Sequence, residues 1–166
     1  MADRLITGLR LLVLGGVLLA GVGLIGHAVG SVWLTTTTGP TAYLLLAHPD
    51  TAGSRLRSAV AGHTAAVACG LAALAAFGLW NHPSIVEQRH DTLTQIAAQA
   101  IAVGCTLLAL AVLDAHHPPA AATALLIASG IARPGAPLYG MLAGLALTLA
   151  GAFAGGKLTA LSARRS

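Results

Sequence analysis

Four stretches of this chain carry no Asp, Glu, Lys or Arg and are apolar almost throughout: Leu11 to Trp33, Ser58 to Trp80, Thr92 to Leu113, and Leu138 to Gly156. Each is 19 to 23 residues long. As helix, at about 1.5 Å per residue, that covers roughly the 30 Å of hydrocarbon in a bilayer. With 166 residues and a mean hydropathy of +0.81, the chain reads as an integral membrane protein. Arg4 and Arg10 precede the first stretch as the charged region of a secretory signal would. Its apolar run exceeds the roughly 7 to 15 residues of a signal core, and Asp3 is out of place in one, so a retained span is expected. No Arg- and Ser-rich leader precedes it, and organelle import is not expected.

The few charges describe topology rather than a binding face. Nine Lys and Arg against five acidic residues give a net charge of +4, but the basic residues are scattered through loops and tails, which argues against a nucleic-acid partner. If the interrupted segments described below re-enter the membrane, six basic residues share the side of the termini and three lie opposite; if they cross it, the division is seven to two. Both schemes put Arg4, Arg10, Lys157, Arg164 and Arg165 in the cytoplasm, as in a multi-pass protein of a bacterial inner membrane. The acidic residues, Asp3, Asp50, Glu87, Asp91 and Asp114, all lie outside the depths of the spans, and no His-Glu-x-x-His occurs. No catalytic residue is therefore expected. Cys69 and Cys105 sit inside spans without ligand-type spacing, so neither a disulfide, a metal site nor another cofactor is indicated. Asp114, His116 and His117 are too close in sequence to converge readily on one ion.

The connections are of two kinds. Asn81 to Asp91 is polar and mixed in charge, and reads as a plain aqueous loop. Thr35 to Ala47, "TTTTGPTAYLLLA", and Ala115 to Ser129, "AHHPPAAATALLIAS", instead lead from a polar, Pro-containing entry into an apolar run too short to span comfortably. A shift of 82 residues superposes Thr41-Ala42 on Thr123-Ala124, Gly53 on Gly135, Leu56 on Leu138, and Ala61-Gly62 on Ala143-Gly144. From Thr41 to Leu71 eight of 31 positions are identical, which suggests an internal repeat. The expected fold is an all-α membrane protein: one transmembrane domain over residues 1–166, with four full transmembrane helices and two short broken or re-entrant helices. The two related halves would be 9–80 and 91–160. In many transporters, Gly/Pro-interrupted segments at matching places in two halves mark the binding site, because irregular backbone at membrane depth must line protein or a polar cavity.

The second interruption has a direct chemical reading. Pro118 and Pro119 end the preceding span and suit the first turn of a new helix. The first amides after them, at Ala120, Ala121 and Ala122, would then face back toward His116 and His117 at the positive end of a helix dipole, an anion-binding geometry without a fixed cation. In the first interruption Pro40 would open the short helix, Gly39 would permit close approach, and Thr35 to Thr38 would supply hydroxyl donors. The alternative is that these threonines only cap a helix and face lipid headgroups. His63, inside its span and preceded by Ala61 and Gly62, is a candidate because an ionisable side chain is expensive in lipid; the alternative is a neutral imidazole bonded to a carbonyl of a neighbouring helix. His27 reads as structural, and Gly15, Gly16, Gly21, Gly23 and Gly26 as positions of close helix packing.

His117-Pro118-Pro119-Ala120-Ala121-Ala122-Thr123-Ala124 resembles the signature of the HPP family of integral membrane proteins, usually His-Pro-Pro-Ala-Gly-Ala-Thr-Ala. Gly39-Pro40-Thr41-Ala42 resembles an earlier Gly-Ala-Ser/Thr-Ala element, and Arg57 with Ala61-Gly62-His63 resembles a Pro-Arg-Asn-x-x-Gly-Gly-His stretch. Ala121, Pro40, Ser58 and Ala61 depart from those patterns; His63, His117, Pro118, Pro119 and Thr123 keep them. Family members are linked to nitrite transport in plastids and cyanobacteria, so the resemblance implies a small-anion permease with nitrite as lead substrate. The expected substrate-binding residues are Thr38, Gly39, Thr41, His63, His117, Pro118, Pro119, Ala120, Ala121 and Thr123. Expected partners are the anion, the lipid bilayer and further copies of the chain in a homo-oligomer. The imidazoles could also carry protons, since histidine titrates near physiological pH. A non-transporting sensor or assembly subunit, and a channel for another small solute, are the competing functions.

Overall fold

In the computed structural model the chain forms α1 (Ala2–Ala28), α2 (Thr38–Ala47), α3 (Leu56–Ala76), α4 (Ile85–Gln88), α5 (Leu93–Val112), α6 (Pro119–Ala128) and α7 (Ala136–Ala163), with a 3-10 turn at Ala52–Ser54. The structure describes residues 1–163, with side chains through Gly155. Arg164 and Arg165, and the side chain of Lys157, on which part of the topology expectation rests, lie outside the described residues. Among the described residues there is no strand. α1, α3, α5 and the Ala136–Gly155 part of α7 are long and apolar enough to cross a membrane. The order long, short, long occurs twice, as α1-α2-α3 and as α5-α6-α7.

Contacts group the chain into two units, Met1–Leu56 with Gly140–Ser166, and Arg57–Tyr139. The first unit therefore holds α1, α2 and most of α7. The chain leaves α1 by doubling back: the Ser31 N–H donates to the Gly26 carbonyl at 2.8 Å, and a Cβ on Gly26 would meet the Trp33 side chain at 2.8 Å. The non-helical segment that follows lies against α7. A Cβ on Gly144 would sit 2.0 Å from the Trp33 carbonyl oxygen, and one on Gly140 2.6 Å from that of Val32. Two glycines four apart thus let backbone meet backbone, the use that small residues serve in membrane helices.

α2 begins at Thr38, so Pro40 occupies the third helical position and does not open the helix as expected. Pro is tolerated there because the first amides of a helix lack intrahelical partners. The chain starts turning earlier because the Thr38 hydroxyl donates to the Thr35 carbonyl at 2.7 Å while the Thr38 N–H donates to the same oxygen at 3.1 Å.

The second unit holds α3, α4, α5 and α6. α3 presents Gly62, Ala66 and Gly70, one helical turn apart and all buried. A Cβ on Gly70 would meet Ile127 Cβ at 2.8 Å, and one on Gly62 would meet Ala120 Cβ at 3.3 Å, so α3 and α6 approach closely. The loop from Asn81 to Asp91 is not the plain aqueous connection expected. Ser84 is buried, and the Ile85 N–H donates to the Ser129 carbonyl at 3.2 Å. Gly130, at φ +78°, passes so near that a Cβ would meet Ser84 Cα at 3.1 Å. Gln95, which closes a capping box with Thr92 at the start of α5, also donates to the Pro83 carbonyl at 3.1 Å. Polar residues that look like solvent-exposed loop in sequence are here used to pin the loop to the end of α6.

Ser84 and Glu87 form a second capping box, and Arg133 reaches Glu87 at 3.3 Å. The Ser84 backbone N–H foremost, then the Ser84 side chain, with a smaller share from Arg133, hold the Glu87 carboxyl below the ordinary glutamate range. A depressed carboxylate stabilises the fold fully above that range, and the contribution disappears as pH falls through it. An NMR titration of the side-chain carboxyls should place Glu87 below free glutamate, and Ser84→Ala, which keeps the backbone N–H but loses the hydroxyl, should move it part of the way back up; equal titration in both proteins would remove the Ser84 hydroxyl from the account.

Candidate functional site: a buried imidazole pair

His63 lies about 10 Å of helix rise beyond Leu56, on the face of α3 that meets α6. Its side chain is 4% exposed, and His117 and Thr123 are fully buried. The His63 Nδ1 is 2.9 Å from the Thr123 Oγ1, and its Nε2 is 3.1 Å from the Nε2 of His117. The rings meet edge to face, with centroids 4.8 Å apart and planes at 68°. Every buried side-chain nitrogen and oxygen among the described residues has a partner.

Local geometry explains how consecutive histidines take opposite environments. Asp114 adopts a left-handed φ of +49°, and the His117 N–H closes a tight turn onto the Ala115 carbonyl at 2.7 Å. His116 is left at the surface, paired with Asp114 at 2.9 Å, while His117 points inward. Pro118 caps α6 and Pro119 takes its first position, as the double proline predicts. The expected row of free amides is not present. The Ala120 N–H donates to the His117 carbonyl at 3.0 Å and the Ala121 N–H to the Pro118 carbonyl at 3.1 Å. With Pro118 at φ −53° and ψ −34°, the prolines wind the entry into a 3-10-type turn, which satisfies the amides that an α-helical start would leave open.

His63, His117, Pro118, Pro119, Ala120, Ala121 and Thr123 are thus gathered in the second unit, around the head of α6. Thr38, Gly39 and Thr41 belong to the first unit, at the head of α2, where Thr38 and Thr41 are buried and Gly39 is half-buried. His27 is exposed in the last turn of α1. Two of the partners of His63 are side chains, those of Thr123 and His117. Thr123 enters from sequence through the internal repeat and the family-like motif, and its bond to a residue 60 positions away has no local signal. The small residues Gly62, Ala66 and Gly70, at helical spacing, are the feature that could have indicated which face of α3 receives α6.

Chemically, the cluster is a chain of groups that each donate or accept. A neutral imidazole has one N–H and one bare nitrogen, and the threonine hydroxyl serves either way. The bond between two Nε2 atoms requires one hydrogen between them, and either ring can supply it. Among the described residues no group of three or more His, Cys, Asp or Glu is placed to hold a metal ion.

A sequence model of the family described as HPP, transmembrane region, matches residues 4–165. No curated protein and no solved structure matches.

Proposed function

The chain belongs to the HPP family of transmembrane proteins, and from that premise we propose that it carries a small inorganic anion, with nitrite as lead substrate, across a bacterial inner membrane. The observation that supports this most directly is the buried His63–His117–Thr123 cluster at the head of the short helix α6. Polar side chains at membrane depth are costly and mark pathways for ions and substrates. The donors are imidazole N–H groups and a hydroxyl, set beside the positive end of α6, whose first amides are already bonded within the entry turn. They suit a planar monoanion that must be bound weakly enough to leave. Thr38, Gly39 and Thr41, which lead the corresponding short helix of the first unit, are assigned the same role in their own unit. The repeated long, short, long order supports a transporter built on two related halves. Both termini are cytoplasmic in this proposal, and the partners are the anion, the bilayer and further copies of the chain.

Flux into liposomes carrying the purified chain tests the proposal. Saturable uptake of nitrite above protein-free liposomes is expected, with nitrate, formate and chloride slower and urea at background. Equal passage of urea and nitrite would make the protein a channel for small solutes. No uptake of any of them would favour a non-transporting subunit.

A further inference from the structure

We infer that the His63–His117 pair takes up one proton with each anion, so that the anion crosses as an electroneutral unit; this rests on the anion-transport function proposed above.

The count of one follows from the geometry. In the neutral pair, one hydrogen lies between the facing Nε2 atoms, 3.1 Å apart. The ring that supplies it carries no proton on its Nδ1, and an arriving proton takes that position. The pair then carries a single positive charge with the shared hydrogen still in place. That hydrogen can shift from one Nε2 to the other, which moves the charge between rings without breaking the contact. A second proton would put an N–H on both Nε2 atoms, pointing head to head across the same 3.1 Å, and the bond would be lost. Thr123 tolerates each state because its hydroxyl can accept from the His63 Nδ1 or donate to it, at 2.9 Å.

The surroundings give the added charge its purpose. The elements of the pair's own unit are α3, α5, α6 and the short α4. α6 has no titratable side chain, α5 has only the exposed Cys105, and α3 has Arg57 in its first turn and the half-buried Cys69. The turn before α6 adds Asp114 and His116, paired with each other at the surface, and the far loop adds Glu87 paired with Arg133. Beyond Arg57, the three longer helices of this unit contain no Lys or Arg. A lone anion moved out of water is expensive, and a matched cation offsets much of that expense. Within these helices the imidazole pair is what can supply the cation. The step balances simply: one proton and one monoanion enter from one side and both leave on the other. No covalent bond to the anion forms and nothing is oxidised or reduced.

Nitrite uptake by the full chain in liposomes, with the potential clamped by potassium and valinomycin and the lumen loaded with a pH dye, decides the matter. Uptake in protein-free liposomes is subtracted to remove leakage of nitrous acid. The expected result is one proton per nitrite and no response to the potential. A nitrite ion moving alone would shift its equilibrium distribution about 50-fold for 100 mV. Saturable nitrite uptake that follows the potential without acidifying the lumen overturns this inference and leaves anion transport standing; absence of saturable uptake overturns both. In the double variant His63→Gln, His117→Gln the two amides can still donate and accept in place of the rings, but neither can take up a proton. The residual uptake of this variant should respond to the potential, and retention of one proton per nitrite would exclude the pair as the carrier. The wild-type stoichiometry decides the question even if that variant folds poorly.

Discussion

Gly144→Ala should cause the largest loss of folded protein of any glycine-to-alanine change among the described residues. The new Cβ would lie 2.0 Å from the Trp33 carbonyl oxygen and 2.7 Å from its carbon, and a backbone carbonyl cannot swing aside as the end of a side chain can. Overpacking typically costs about 1–3 kcal/mol, and this case belongs at or above the top of that range. The expected readouts are a much lower yield of monodisperse protein in detergent and a clear drop in melting temperature. Gly16→Ala and Gly104→Ala are the controls, because a methyl at either meets nothing within 4 Å. Gly151→Ala should fall between, since its nearest obstacle is the terminal carbon of Leu18. If Gly144→Ala melts with the controls, the close packing of α7 on the extended segment is wrong. Gly62, its counterpart at the 82-residue shift, is less tightly enclosed: a methyl there would find Leu110, His117 and Ala120 at 3.1 to 3.3 Å.

His63→Leu should reduce nitrite flux about ten- to a hundred-fold, as expected for removal of hydrogen bonds with a polar or charged partner. The substitution also takes away the partner that Thr123 finds at 2.9 Å and His117 at 3.1 Å. Losing a buried partner costs about 1–3 kcal/mol per group, so stability should fall as well. His63→Gln separates the two effects, because an amide can bond to both neighbours without titrating. It should recover most of the melting temperature and only the part of the flux that rests on hydrogen bonding, the part that needs a titrating group staying lost. Wild-type flux in a folded His63→Leu protein would make the imidazole a packing element alone.

The four spans are legible in the sequence because their signal is local: length and the absence of charge suffice to place α3, α5 and α7, whereas α1 runs Ala2–Ala28 and leaves Val29–Trp33 of the expected first span outside the helix. The short helices are legible in existence and nearly in extent, since Pro and Gly act on their own neighbourhood. Where sequence and structure part, the reasons lie in bonds that residue preferences do not carry. Proline favours the first helical position, which would put Pro40 at the opening of α2, yet the Thr35–Thr38 bonds start the turn two residues earlier. An α-helical start would leave the amides of Ala120 and Ala121 open, and a tighter turn closes them. The polar residues of the loop at 81–91 suit a solvated connection. Only the fold shows that Ser84, Gln95 and Gly130 put that polarity to internal use. His63 is identifiable in sequence as a buried oddity. Its pairing with His117 and Thr123 depends on which helices pack together, and no spacing along the chain encodes that.

The division of the long helices between the units bears on the order in which the protein can be made. The second unit is continuous in sequence, from Arg57 to Tyr139, whereas the first needs Gly140 onward to join residues 1–56. During synthesis the imidazole pair can therefore be assembled while the extended segment at Ser31–Trp33 still waits for Gly140 and Gly144 to leave the ribosome. Until then the first unit lacks its third helix. A chain truncated before Gly140 would keep the imidazole pair's unit whole and leave the other unit incomplete.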